Sequence, residues 1–217
     1  MKVPEWNYGD AYKRYPIYDA VHYANGSVLQ VHDIFDGLPE FMSKADVIFT
    51  DSPWNIGNMR SFYTKAGKDY PSIETFEQFY RRLFDCIGDI SPKACYLEIG
   101  KEFLPEYVSE MKRLYRHVTF YNSTYYHKKE NLCYVVHGFN KRKKLHYDGV
   151  DEEDIIASVG ELEDGIIGDL CMGRGLVACA AARNEKAFVG TELNEKRLSV
   201  CVERLAKMGM EAIGHGK

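Results

Sequence analysis

Residues 165–192 constrain this chain more than any other stretch. Gly165-Ile166-Ile167-Gly168-Asp169-Leu170 reads as a short buried strand, and Cys171-Met172-Gly173-Arg174-Gly175 as a glycine-rich turn. The Ala-rich residues 176–183 predict a helix that packs closely. Ala187-Phe188-Val189-Gly190-Thr191 predicts a second strand, with Glu192 at its carboxyl end. Strand, glycine turn, helix, strand and acid form the unit that holds an adenosine-containing cofactor beyond the carboxyl ends of parallel strands. The glycines let the backbone approach the ligand, and the acid accepts hydrogen bonds from the ribose.

Gly173-Arg174-Gly175-Leu176-Val177-Ala178 also fits the G-x-G-x-x-G/A pattern of nicotinamide enzymes. Two features favour S-adenosylmethionine over that rival. Asp169 lies four residues before the first glycine, where its carboxylate would repel a pyrophosphate but suits an α-ammonium group. Only about forty residues follow the glycines, too few for a six-strand dinucleotide fold read forward. The remaining strands must therefore come from upstream, in a permuted order.

Upstream stands a second informative site. Asp51-Ser52-Pro53-Trp54 follows the apolar run Asp46-Val47-Ile48-Phe49-Thr50. Asp51 accepts a hydrogen bond from an exocyclic amine, and Trp54 offers a π surface to a flat ring. Pro53 fixes its own φ and forces Ser52 into an extended conformation, so the Ser52 carbonyl has few directions in which to point. A strand-ending turn with a packed Trp explains the same four residues equally well.

Taken together, the two sites resemble the beta-type, permuted family of amino-methyltransferases of nucleic acids, which modify adenine at N(6) or cytosine at N(4). In that family the catalytic tetrapeptide precedes the cofactor loop. Its D/N/S-P-P-Y/F/W tetrapeptide matches Asp51, Ser52, Pro53 and Trp54, with Ser52 replacing the first proline. Its D-x-F-x-G-x-G loop matches Asp169, Gly173 and Gly175, with Cys171 at the aromatic position, and its ribose-binding acid matches Glu192. His32-Asp33 stands where a Gly-Asp pair contacts the cofactor adenine. The resemblance implies a Rossmann-like α/β sheet with permuted motif order and an antiparallel edge hairpin. It also implies S-adenosylmethionine held by Asp33, Asp169, Cys171, Gly173, Gly175 and Glu192, with DNA adenine as the substrate. RNA adenine or cytosine N(4) methylation, or a catalytically degenerate nucleic-acid-binding subunit, are the alternatives. The family's His-Pro-Thr-Gln-Lys-Pro-like segment is not visible, and no separate target-recognition domain fits. A homodimer or a partner subunit is expected to supply recognition.

Composition sets the remaining bounds. A chain of 217 residues with 45% hydrophobic content can bury one sizeable core, so a single domain is expected, with residues 1–24 as an unassigned extension. The six cysteines form no C-x-x-C pair or metal-ligand spacing, which suits reduced thiols in a cytoplasmic setting. Cys171 reads as a packed side chain rather than a nucleophile. His117, His127 and His137 fall in expected strands as structural residues, and no metal site is predicted. No signal core or membrane-length run is visible.

A net charge of −4 argues against strong nonspecific binding to nucleic acid but averages over local blocks. Residues 57–71 carry Arg60, Phe62, Tyr63, Lys65, Lys68 and Tyr70 with two glycines, and read as a mobile loop that grips phosphates over an extruded base, or as an irregular surface loop. Lys141-Arg142-Lys143-Lys144 is followed by Asp151-Glu152-Glu153-Asp154. That reversal suits either a solvated loop or a phosphate-contacting patch. The rest is scaffold. Helices are expected from Phe76 to Ile87 with Thr75 as cap, from Leu104 to Leu114, and over 194–208; strands are expected over 93–99, 118–126 and 132–136.

Overall fold

The computed structural model describes residues 8–141 and 145–213; Trp6 and the basic residues Arg142, Lys143 and Lys144 lie outside them. In chain order the elements are α1 (Ala11–Arg14), β1 (Val21–His22), β2 (Val28–Val31), β3 (Val47–Asp51), α2 (Ile56–Ala66), α3 (Phe76–Ile90), β4 (Ala94–Ile99) and α4 (Leu104–Leu114). They continue with β5 (His117–Tyr125), β6 (Lys128–Phe139), β7 (Val150–Asp151), α5 (Glu152–Leu162), β8 (Ile167–Asp169), α6 (Leu176–Arg183), β9 (Phe188–Glu192) and α7 (Glu195–Lys207).

The strands form one sheet in the order β1-β2-β9-β8-β3-β4-β6-β5-β7. Its middle, β2-β9-β8-β3-β4, is parallel throughout, while β6 runs antiparallel to both β4 and β5. A parallel sheet needs cover on both faces, and alternation along the strands supplies the two cores. Val47 and Phe49 on β3, with Tyr96 on β4, pack under residues of α5, α6 and α7 such as Val159, Ala178 and Leu198. Ile48, Cys95 and Leu97 point the other way, into Phe79 and Leu83 of α3 and Tyr107 and Met111 of α4. Close packing within the first layer depends on small residues. A Cβ on Gly160 of α5 would stand 2.9 Å from the Ala180 carbonyl oxygen of α6. The Ala-rich α6 thus lets α5 approach backbone to backbone.

Both expected parallel strands around the glycine turn are present, and α4 and α6 have the expected bounds. Thr75 and Gln78 form a reciprocal capping box at the start of α3. Four expectations are corrected. Residues 57–71 are not an irregular loop, because α2 occupies most of them. Asn55 caps it by accepting from the Asn58 N–H, Met59 and Tyr63 are buried four residues apart, and Gly67 ends it in the left-handed region. The acidic block at 151–154 is not a solvated loop. Asp151 caps α5, and the next three acids fill its first turn, where the helix dipole favours them. His127 lies in the β5–β6 turn rather than in a strand. The hairpin does not end the sheet, since β7 pairs with β5.

Part of the unassigned extension covers the domain. Helix α1 packs on α7, where Arg14 donates to Glu203 at 2.6 Å, and β1 pairs with β2.

Candidate active site

Five adjacent parallel strands end in five acids. Asp33 lies two residues beyond the end of β2, Glu192 and Asp169 end β9 and β8, Asp51 ends β3, and Glu98 is the penultimate residue of β4. All five line one cavity of about 480 Å³. The crevice at the carboxyl ends of an open parallel sheet is where such folds bind ligands. The pairing of β3 with β8 brings the tetrapeptide beside the glycine turn across more than a hundred residues of chain. A buried stitch fixes that join: Thr50 Oγ1 donates to Asp169 Oδ1 at 2.9 Å and accepts from the Leu170 N–H at 2.9 Å.

One half of the cavity is built around Asp169 and Glu192. Asp169 is buried, and burial raises its carboxyl to about 7 against the hydrogen bonds from the Cys171 N–H and Thr50. A cation placed beside it would restore the ionised form. Glu192 accepts from the Gly173 N–H at 2.6 Å and from the Asn194 N–H at 2.9 Å, leaving lone pairs on both oxygens. Burial raises its carboxyl, opposed by Arg197 and by these two N–H donors. Gly175, at φ 77°, is held against α7, where a Cβ would collide with Cys201 Sγ. Asp33 Oδ1 accepts from the Phe35 N–H at 3.0 Å and from the Tyr63 hydroxyl at 2.7 Å. Tyr63 is therefore a buried part of the cavity wall rather than a surface contact. The Cys171 thiol is pushed well above its usual range by burial and by Asp169, Glu192 and Asp51, which leaves it un-ionised and unsuited to nucleophilic attack.

The other half holds the tetrapeptide. Trp54 Nε1 donates to Asp51 Oδ1 at 3.2 Å, and the indole stands edge-on to Tyr125 with ring centroids 5.4 Å apart. Its face lies on the backbone of Gly100, where a Cβ would come within 2.9 Å of Cε3. Asp51 is open to the cavity yet walled in by protein. Burial and Glu152 raise its carboxyl to about 7, while Trp54 and Arg197 oppose the shift. Ser52, which replaces the usual first proline, is buried, and its hydroxyl lies 3.1 Å from the buried Tyr107 hydroxyl. Ser52→Ala would orphan that phenol. We expect a loss of about 1–3 kcal/mol in denaturant unfolding, largely recovered by adding Tyr107→Phe. If the single variant matched the wild type, this contact would carry no weight.

Beside Asp51 stand two acids that sequence reasoning missed. Glu98 is the in-register neighbour of Asp51 on β4, and Glu152 opens α5. One oxygen of each of the three lies within 4.8 Å of the others. Burial, Asp51 and Glu152 raise the Glu98 carboxyl well above its usual range, and burial also raises Glu152. Arg197, whose guanidinium lies over the Phe62 ring at 5.2 Å, also lines the cavity and was missed. So were Tyr125 and Tyr126 at the hairpin tip. Tyr126 and His127 take φ of 60° and 51°, and Tyr126 is exposed at the cavity mouth. Strain of this kind at non-glycine residues collects at functional loops. The available signal was the run Tyr125-Tyr126-His127-Lys128-Lys129, aromatic and basic side by side.

Of the expected phosphate contacts, Arg60 and Lys65 lie exposed on α2, and Lys68 follows it beside Gly67. Arg60 lies over the Tyr70 ring at 5.5 Å. Lys141 is not brought to the site. It follows the far end of β6, whose twelve residues span roughly 40 Å from the hairpin tip.

No protein-family model matches the sequence, and no curated protein does. Solved structures do. The M1.HpyAVI complex with S-adenosylmethionine superposes with a TM-score of 0.59 at 12% identity, over 82% of this chain and 98% of that one. The chain has a methyltransferase fold. A putative DNA modification methylase from Thermus thermophilus, also complexed with S-adenosyl-L-methionine, gives 0.59 at 14% identity over 82% and 94% of the two chains. The cytosine-N4-specific PvuII DNA methyltransferase gives 0.57 at 9% identity over 87% and 89%. At these identities the shared property is the fold. Among the described residues no helix is long and apolar enough to cross a membrane.

Proposed function

We propose that this chain transfers a methyl group from S-adenosylmethionine to the exocyclic amine of a nucleic-acid base, with adenine N(6) in DNA as the first candidate. The observation that carries this reading is the join of β3 to β8, which opens Asp51-Ser52-Pro53-Trp54 and the Asp169–Gly175 turn into one cavity. The fold shared with two structures that hold S-adenosylmethionine supports it. The donor set suits that cofactor: a buried carboxyl at Asp169, with no cation paired to it among the described residues, for the α-ammonium, Glu192 for the ribose and Asp33 for the adenine amine. When bound, S-adenosylmethionine supplies an electrophilic methyl that the amine nitrogen takes as the carbon–sulfur bond breaks, its electron pair leaving on sulfur. Asp51 and the Ser52 carbonyl hold the two amine hydrogens and aim the nitrogen. Asp51 also faces the positive charge that develops there, and the nitrogen's proton then leaves to Asp51 or water. Positioning and fixed charge account for the catalysis. An acid at the first tetrapeptide position favours adenine over cytosine.

The base must leave its stack to reach the cavity floor. Trp54 and Tyr125 line the cavity, and the phosphate contacts of this reading are Arg60 and Lys65 on α2, Lys68 just after it, and Lys128 and Lys129 next to the hairpin turn. Binding should weaken steeply with salt, and neutralising Lys65 or Lys128 should lower the log–log slope by about one. Lys141→Ala, beyond the far end of β6, should leave the slope alone. A wild-type affinity flat in salt would reduce these residues to a solvated face.

The deciding assay is transfer of a labelled methyl group to DNA, RNA and protein, with the product nucleoside identified. N(6)-methyladenine in DNA is the expected product. Labelled RNA or N(4)-methylcytosine would move the substrate. Cofactor binding with no transfer to any of the three would make the chain a degenerate binding subunit.

A further inference from the structure

The chemistry proposed for the site leaves one group unused. Glu98 is 1% exposed, lines the cavity and has no hydrogen-bond partner for Oε2. Burying such an oxygen without a partner costs on the order of 1–3 kcal/mol, and placing it opposite another acid on a neighbouring strand costs more. No lysine or arginine forms an ion pair with Asp51, Glu98 or Glu152 among the described residues. Three carboxyls this close cannot all be ionised, so at least one proton resides among them. A carboxylic acid kept neutral in this way is a hydrogen-bond donor.

We propose that Glu98, resting on the methyltransferase reading above, reads the ring nitrogen next to the target amine by donating a hydrogen bond to it from Oε2. The amine and its adjacent ring nitrogen form an amidine edge, present in adenine at N(6)/N1 and in cytosine at N(4)/N3. Asp51, ionised, takes the amine hydrogen on the ring-nitrogen side, and Glu98, neutral, meets the nitrogen beside it. Their in-register placement on adjacent strands sets two such contacts side by side. In the free site Glu98 shares its proton with Glu152 at the start of α5, and on docking that proton turns from Glu152 to the ring nitrogen. Guanine and thymine present an N–H and a carbonyl on this edge. The carbonyl would face the Asp51 carboxylate, so both bases are rejected. Orphaning Glu98 is then the cost of specificity, recovered when the base docks.

The groups facing Glu98 and Glu152 are Asp51 from β3, Cys133 from β6, Asp151 from β7, Glu153 from α5, His127 from the hairpin and Arg197 from α7. The acids outnumber the cations, which favours keeping the proton on the pair. Raising the pH should remove it, and transfer should fall on the alkaline side.

The test is single-turnover methyl transfer to oligonucleotides carrying 1-deazaadenine or 3-deazacytosine, in which a C–H replaces the ring nitrogen. The wild type should prefer the natural base by about tenfold to a hundredfold, in whichever of the two arms is the substrate. Glu98→Ala should lose that preference while still binding S-adenosylmethionine. Glu98→Gln, which keeps a donor at every pH, should retain it and lose the alkaline fall. Equal rates on natural and deaza bases in the wild type would overturn the role of Glu98 and leave the methyltransferase reading intact. A divalent-cation requirement for transfer would also overturn it, by placing a metal among the three carboxyls. Absence of methyl transfer to any base would overturn both.

Discussion

Asp51→Ala should lower single-turnover methyl transfer by roughly 10²–10³-fold or more, the scale on which removing one preorganised electrostatic partner acts. The fold should survive, because the Asp51 side chain opens into the cavity and its hydrogen bond is to the Trp54 indole. Cofactor affinity should stay nearly unchanged, since Asp169, Glu192 and Asp33 are carried by three other strands. Asp51 must be ionised to face a cationic nitrogen, and its carboxyl is raised to about 7. The wild-type kcat/KM should therefore fall as pH drops through this value, while Asp51→Asn should be slow at every pH and lack that limb. Trp54→Ala should act differently, weakening base capture by about 1–3 kcal/mol of lost stacking. Wild-type turnover in Asp51→Ala would make the tetrapeptide a structural turn and place the chemistry elsewhere.

Glu192→Ala should weaken S-adenosylmethionine binding by on the order of 2–4 kcal/mol, or about thirtyfold to a thousandfold. Two losses combine in that number. The ribose hydroxyls lose a charged acceptor, and the Gly173 N–H, now held at 2.6 Å, is released, so the turn loses its anchor. Isothermal calorimetry with S-adenosylmethionine and its demethylated product measures the loss directly. NAD should not bind either protein. Measurable NAD binding, or an unchanged affinity for S-adenosylmethionine in the variant, would overturn the cofactor assignment.

Much of the scaffold was legible in the sequence because its signals are local. The amphipathic spacing of Phe76, Phe79, Leu83 and Ile87 with a capping box in front determines α3 whatever surrounds it. The glycine turn between two apolar runs determines the β8–α6–β9 unit in the same way. Helix α2 was missed although its cues were present. Asn55 caps it, Gly67 ends it, and Met59 and Tyr63 stand four apart, but the interleaved basic and aromatic residues masked so narrow an apolar stripe. The start of α5 was missed for a related reason. Four successive acids read as solvated until the tertiary fold buries Asp151 and Glu152.

The sequence by itself determined which residues carry recognisable chemistry: an acid and an aromatic on a proline turn, and a glycine turn framed by two acids. Those are properties of short segments, fixed by side-chain type and backbone preference. Only the tertiary structure decided that Asp51 and Asp169 share a cavity, because pairing across more than a hundred residues depends on strand order and not on spacing. It alone brought Glu98 and Glu152 to Asp51. Glu98 lies within an apolar strand and Glu152 within an acidic run, and neither sequence context hints at a partner. Register across β3 and β4, and the close approach of α5 to α6 at Gly160, put them together. That convergence forces three carboxyls to share protons, an electrostatic property no single segment possesses.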